Sequence, residues 1–541
     1  MVEDLFGVNS TNGKQQMTKC KYPIITVSFL GFVVLIIVTA YSILLDMNAN
    51  PKAVWENLNK AKSNYGELTK AIRYFQEDGS QEKLDALYFL IGNMDGHCYV
   101  SYAIYDSTET EIEFNVLAYP NYDTMVAAMD SLEDVTGELH YGRKEKRNDL
   151  EYITAEFLID NVELAYSVWK NKPWAHHLSF DEFCEYILPY RGSNEPLEEW
   201  RKALVNRYKD FTFNRDDPIS VSSTVNQDVK SWFGFDPIFY RHPTDQGFSE
   251  MLIHKKGRCE DMTNLAIYAM RANGLAVTSD YTPHWANTGN NHAWNAILSQ
   301  NGMVIPFMGC EADPGDYSLG NKMAKAYRKT FSKQEENLAF RLGRDEDAPR
   351  WLTGKNYTDV TPDYIPVSDV TITLEYEIPD NIHYAYLAVF NSGEWRAIHW
   401  GEIIEDSVTF TDMGRGIAYI PMFYVKEELI PAGSPFILDD NGNIDRLSEN
   451  EEKRNMELVS TTRKTMVLST EGKQIVHFDN GSEYELFYWN NEWESLGVGT
   501  AEDKPLWFAN VPVNRLYWLV KKDSDKDERI FSFENDTQIW W

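Results

Sequence analysis

The chain has 541 residues, enough for several domains with cores of their own. It carries 51 basic and 83 acidic residues, a net charge of -32. That balance excludes a nucleic-acid binder, which needs a basic footprint, and suits a soluble face in an extracytoplasmic space. The five cysteines stand apart at 20, 98, 184, 259 and 310 and form no disulfide framework. Aromatic residues make up 14% of the chain. Burial of Trp and Tyr in β-rich domains accounts for them better than exposed platforms for sugars or peptides.

In chain order, the first feature is an uncharged apolar run from Tyr22 to Leu45, long enough to cross a bilayer as one helix. Lys14, Lys19 and Lys21 precede it and Asp46 follows, so residues 1–21 are expected to stay cytoplasmic and the rest to be exported. A cleaved signal peptide is the competing reading, but its apolar core is shorter and ends at a small-residue site not evident here. An uncleaved signal anchor at 22–45 is therefore expected, with the chain held to a membrane on the periplasmic or cell-surface side.

Residues 46–215 read as a mainly helical domain. Val54, Trp55 and Leu58, then Leu68, Ile72 and Phe75, fall at helical spacing opposite charged residues. Ser179-Phe180-Asp181-Glu182 is a capping box opening a helix that Pro189 closes. Pro196 to Tyr208 is a further helical run. Cys184 reads as packing, and Arg191 with Glu195 as an ion pair holding a turn.

The chemistry concentrates in residues 216–335. Gly257-Arg258-Cys259-Glu260-Asp261 leads into a run with apolar residues at 262, 265, 266, 269 and 270, the spacing of a helix with one buried face. Gly274 stands where a left-handed cap would end it. Cys259 then opens the helix, where unpaired N–H groups and the positive end of the dipole favour an anion. With Arg258 as a nearby cation, its thiol is expected to ionise more easily than a free one. Leu275 to Tyr281 reads as a strand, Pro283 to Asn291 as a flexible loop, and His292 to Leu298 as a second strand with His292 at its mouth. Ser299-Gln300-Asn301-Gly302 is a hairpin turn to a return strand, Met303 to Phe307. A cysteine at a helix start facing a histidine on an adjacent strand is the thiolate–imidazolium arrangement of nucleophilic catalysis. A zinc site built from Cys259, His284, His292 and Cys310 is the bland competitor, but the spacing fits no compact ligand pattern.

Gly257-x-Cys259-Glu260-Asp261, the apolar helix ending at Gly274, and His292-Ala293-Trp294 resemble the transglutaminase-like superfamily over roughly residues 220–320. The resemblance implies an α+β, papain-like core, with Cys259 as nucleophile, His292 as base and a third, acidic member. That acid usually ends the strand after the histidine. Here the run is Val304-Ile305-Pro306-Phe307-Met308-Gly309, with no acid. Glu311 is the first choice as orienter of His292 and Asp313 the second. Gln246 is of a type able to stabilise an oxyanion, but the Cys259 backbone N–H is the better donor. Segments Phe89 to Met94 and Leu188 to Arg191 are similar to the amino-terminal part of large exported transglutaminase-like proteins of Bacteroides-type bacteria.

After the core the period changes to two. Val370 to Tyr376, Tyr384 to Phe390 and Arg396 to Trp400 alternate between regular turns, which predicts a β-sandwich within 360–455. A second small β domain is expected at 456–541. Asp439-Asp440-Asn441-Gly442-Asn443 has calcium-ligand residue types without the full spacing, so a solvated turn is expected. The expected function is a cysteine-dependent acyltransferase or amide hydrolase acting on a peptide or protein amide, with no cofactor and no metal. The alternative is an inactive scaffold whose β domains bind surface glycan or protein.

Overall fold

The structure, a computed structural model, describes residues 51–213, 215–447, 452–462, 467–468, 474–524 and 528–541. The expected cytoplasmic tail and the apolar run at 22–45 lie outside the described residues. Among those described, no helix is long and apolar enough to cross a membrane.

Helices Lys52–Lys60, Tyr65–Asp78, Gln81–Asn93 and Ala155–Asn171 share one core that includes Leu58, Phe75, Leu90 and Val162. In Tyr65–Asp78 the buried residues are Leu68, Ala71, Ile72 and Phe75, the three-and-four stripe of an amphipathic helix. Gly79 ends it in the left-handed conformation, at φ 76°. The capping box also forms: the Ser179 N–H donates to Glu182 Oε2 at 2.8 Å, and the Glu182 N–H to Ser179 Oγ at 3.3 Å.

The region is mainly helical, as expected, and also carries one three-stranded antiparallel sheet of Cys98–Tyr105, Glu111–Ile112 and His140–Asn148, with Cys98–Tyr105 in the middle. The strand His140–Asn148 reads His-Tyr-Gly-Arg-Lys-Glu-Lys-Arg-Asn and is largely exposed, so it lacks the apolar alternation that marks a half-buried strand. Arg191 does not pair with the Glu195 carboxylate. It grips buried Asp149, Nε to Oδ2 at 2.6 Å, while Glu195 accepts the N–H groups of Gly192 and Ser193 at 2.9 and 2.7 Å. Those backbone donors of its own turn engage the Glu195 carboxylate, and Arg191 is left to the partner across the core.

The central element is the helix Cys259–Arg271, lying against a five-stranded antiparallel sheet. The sheet order is Tyr357–Asp359, Tyr327–Lys329, Val277–Thr282, His292–Leu298 and Val304–Phe307. The hairpin at 299–302 closes as expected, with Gly302 at φ 79° and the Ser299 N–H donating to Met303 O at 2.9 Å. Gly274 is left-handed at φ 72°. The helix, however, has no solvent face: every residue from Asp261 to Arg271 is buried. The backbone of 186–191 covers its polar side. Arg271 donates to the carbonyls of Tyr186, Pro189 and Arg191, and Asn264 to Ser193 Oγ at 2.7 Å.

The carboxy-terminal half is strands. The pairings between residues 367 and 446 join eight strands into an antiparallel sheet around a core that includes Val370, Leu387, Phe410 and Tyr419. A five-stranded sheet follows, ordered Trp493–Thr500, Glu483–Trp489, Tyr517–Lys521, Ile530–Glu534 and Thr537–Trp540. The two meet through aromatic rings, Phe390 against Trp493 and Trp518 and Trp395 against Trp489, at centroid distances of 5.1 to 5.6 Å. The Asp439 run is a turn: Asp439 Oδ1 accepts the N–H groups of Asn441 and Asn443 at 2.8 and 2.7 Å.

Candidate active site

Cys259 is the first residue of its helix, and the sequence around it explains why the helix starts there. Buried Asp261 accepts the Arg258 N–H at 2.9 Å and the Gln246 N–H at 3.1 Å, which caps the first turn and ties it to the preceding loop. A side chain at Gly257 would meet Asp261 Cβ at 2.5 Å and Gln246 Nε2 at 2.9 Å, so that loop closes only over glycine. Asp261 is thus the cap of this helix. Gln246 is fully buried, gives one of its two amide N–H donors to Lys256 O at 3.0 Å and does not line the cleft that holds Cys259, so it is not placed as an oxyanion donor. Arg258 pairs with Asp245 and donates to His242 O at 3.1 Å, and Glu260 pairs with Lys329.

His292 begins the strand beside Val277–Thr282, opposite Thr282. Cys259 and His292 are both half-buried and line one cleft of about 760 Å3, with Tyr240, Tyr281, His284 and Trp351 around them. The Ala293 backbone, next to His292, favours the Cys259 thiolate, as do the Arg258 charge and the Glu260 backbone. Burial outweighs all three. It pushes the thiol up to about 11, with the Glu260 carboxylate adding to the rise. Burial also lowers His292 below its usual 6.5. The expectation of an easily ionised cysteine is therefore corrected: dipole and cation are present, but desolvation is larger, and the pair rests as thiol and neutral imidazole.

The structure gives His292 a partner that sequence reasoning missed. Tyr317 Oη lies 2.7 Å from His292 Nε2. Glu311 is exposed, and its backbone carbonyl receives Lys230. Asp313 accepts Asn226 and Gln227 side-chain amides at 2.9 and 2.6 Å and so pins its turn to the helix Pro218–Lys230. Neither carboxylate is brought to His292. After Phe307 the chain turns inward: the Gly309 N–H donates to Asn295 Oδ1 at 3.1 Å, and a Cβ there would sit 2.5 Å from Ala266 Cβ. An acid at that place has no room, and the chain returns to the histidine only at Tyr317. Tyrosine is common in this chain, so residue type alone could not single it out.

Residues 206–307 match the family model of the transglutaminase-like superfamily. The chain carries a transglutaminase-like domain. The matched stretch contains Cys259 and His292 and stops before Glu311, Asp313 and Tyr317. No curated protein matches this chain. Among the described residues, no three His, Cys, Asp or Glu side chains cluster as a metal site. Cys310, the fourth residue of the zinc reading, is buried with its thiol toward Met262 O.

Proposed function

We propose that this transglutaminase-like domain is a thiol enzyme that cleaves or transfers an amide acyl group through a Cys259 thioester. The observation that carries the reading is that Cys259 and His292 open onto one cleft, with Ala293, the residue after the histidine, lining it beside them. For Nδ1 of His292 to act as base, its Nε2–H donates to Tyr317 Oη, which fixes the ring and the tautomer. As the sulfur attacks the amide carbon, its proton passes to Nδ1 and the carbonyl becomes an oxyanion at the helix start, where the Cys259 N–H points. The C–N bond then breaks and the amine leaves with the proton from the imidazolium. Water or an amine attacks the thioester, His292 takes its proton, and the C–S bond breaks to restore the thiol. Water as acceptor makes the enzyme a peptidase or amidase; an amine makes it a crosslinking transferase.

The test is hydroxylamine trapping of the acyl-enzyme from a glutamine-containing peptide. Hydroxamate should form with the native chain and fall roughly a thousandfold or more in Cys259→Ala and His292→Ala. Equal yield from Cys259→Ala would end the enzymatic reading. The alternative, a catalytically silent scaffold, is favoured by the neutral phenol standing where a carboxylate is usual. It predicts no hydroxamate from any variant.

The run at 22–45 is further proposed to anchor the chain with residues 46–541 exported. Extraction of membranes at alkaline pH should leave the protein in the pellet, and protease added outside should reach the folded part.

A further inference from the structure

A cavity of about 1490 Å3 forms a groove between the amino-terminal sheet and the two carboxy-terminal sheets. It exceeds the roughly 300–1,000 Å3 of a small-molecule site. His284 and Trp351 line both this groove and the Cys259 cleft, so the two spaces meet at those side chains. One wall is a single face of the amino-terminal sheet. The register pairs Cys98 with Asn148, Val100 with Lys146 and Tyr102 with Arg143, and all six line the groove.

The charges on that wall are unusual for a chain of net charge -32. On the same strand, Lys144 pairs with Glu111 and Arg147 with Glu145. Of the five cations that line the groove, Lys355 pairs with Asp95 and Arg396 with Glu394, while Arg143, Lys146 and Arg350 have no carboxylate partner among the described residues. The opposite wall carries Trp395, Trp493, Glu427, Glu428 and Glu492.

We infer that the groove holds an extended, acidic polypeptide that delivers its amide to Cys259 past Trp351. The inference rests on the amide chemistry proposed above for the cleft. An extended chain sends alternate side chains to opposite sides. Carboxylates at every second residue meet Arg143, Lys146 and Arg350, while the uncharged set packs on Trp395 and Trp493. Glu428 and Glu492 repel the strand turned over, which fixes which side faces the cations.

The experiment uses the full chain in detergent with Cys259→Ala, so that binding is read without turnover. The probe is a labelled peptide of about ten residues, some 34 Å when extended, with glutamate at alternate positions around one glutamine. Its serine and lysine counterparts serve as comparisons, and anisotropy gives Kd. The glutamate peptide should bind most tightly and weaken with salt, and Arg143→Glu with Lys146→Glu should raise Kd about tenfold. The milder Arg143→Gln with Lys146→Gln should raise it about threefold, which keeps the test open if the reversal disturbs folding. Equal binding by the serine or lysine peptide, or an unchanged Kd in both variants, overturns the inference. Acidic-peptide binding together with no hydroxamate in the native chain would sink the enzymatic reading and leave the groove standing. Hydroxamate without acidic preference would do the reverse.

Discussion

At the scale of single residues, the balance at Cys259 is between burial and local charge. Three groups favour the thiolate, yet burial and Glu260 hold the thiol near 11. The reactive protonation state has the proton on sulfur and none on the ring. As pH falls, that state is lost when His292 protonates, at a value below 6.5. As pH rises, it is lost only when the thiol ionises, at about 11. The profile of kcat/KM against pH should therefore rise below 6.5 and stay level far into the alkaline range. A resting ion pair would turn it down well before that. Tyr317 acts through His292 rather than on substrate. Tyr317→Phe removes the acceptor of the Nε2–H and should lower kcat about tenfold with KM little changed, and it should shift the acid limb of the profile. An unchanged limb and rate would reduce Tyr317 to packing.

At the scale of elements, the helix Cys259–Arg271 is held from its start and from its far side. Asp261 satisfies two backbone donors that nothing else in its turn reaches. Asp261→Ala should cost about 1–3 kcal/mol, seen as a lower urea midpoint with an unchanged slope. Gly257→Ala places a Cβ 2.5 Å from Asp261 Cβ and should displace the same cap. Because this cap aims Cys259, Asp261→Ala should also lose hydroxamate formation beyond what its stability loss explains. The other fixing point is Arg271, whose guanidinium gathers carbonyls of the 186–191 segment over the helix. That contact makes the amino-terminal region part of the site's support.

At the scale of the whole molecule, burial leaves several histidines neutral. His97, His284, His292 and His399 all lie below the usual 6.5, each chiefly through desolvation, and His284 falls to about 4. In the unfolded chain each takes up a proton as pH drops through 6.5, while the folded chain does not. The unfolded state then binds more protons, so stability falls with pH across the window from 6.5 down to about 4. These histidines should make the melting temperature decline between those values, most cleanly in the upper part of the window, above the range of ordinary glutamates. His399, buried against Tyr327 at 3.0 Å, lies where the central sheet meets the eight-stranded one, so His399→Gln should flatten part of that decline.

Local pattern was enough for the helix that Cys259 opens, its glycine stop, the 292–298 strand and its hairpin, because these rest on periodicity, capping and turn chemistry within a few residues. That Cys259 and His292 each open an element was legible for the same reason: the sequence marks the limits of both elements. What needed the tertiary structure was every relation across the chain. Arg191 meets Asp149, and Tyr317 meets His292 in the place expected for Glu311 or Asp313. The amphipathic helix loses its polar face to residues far upstream. An ionisable group's state and partner depend on what surrounds it in space, and the neighbours that desolvate Cys259 are brought to it only by folding.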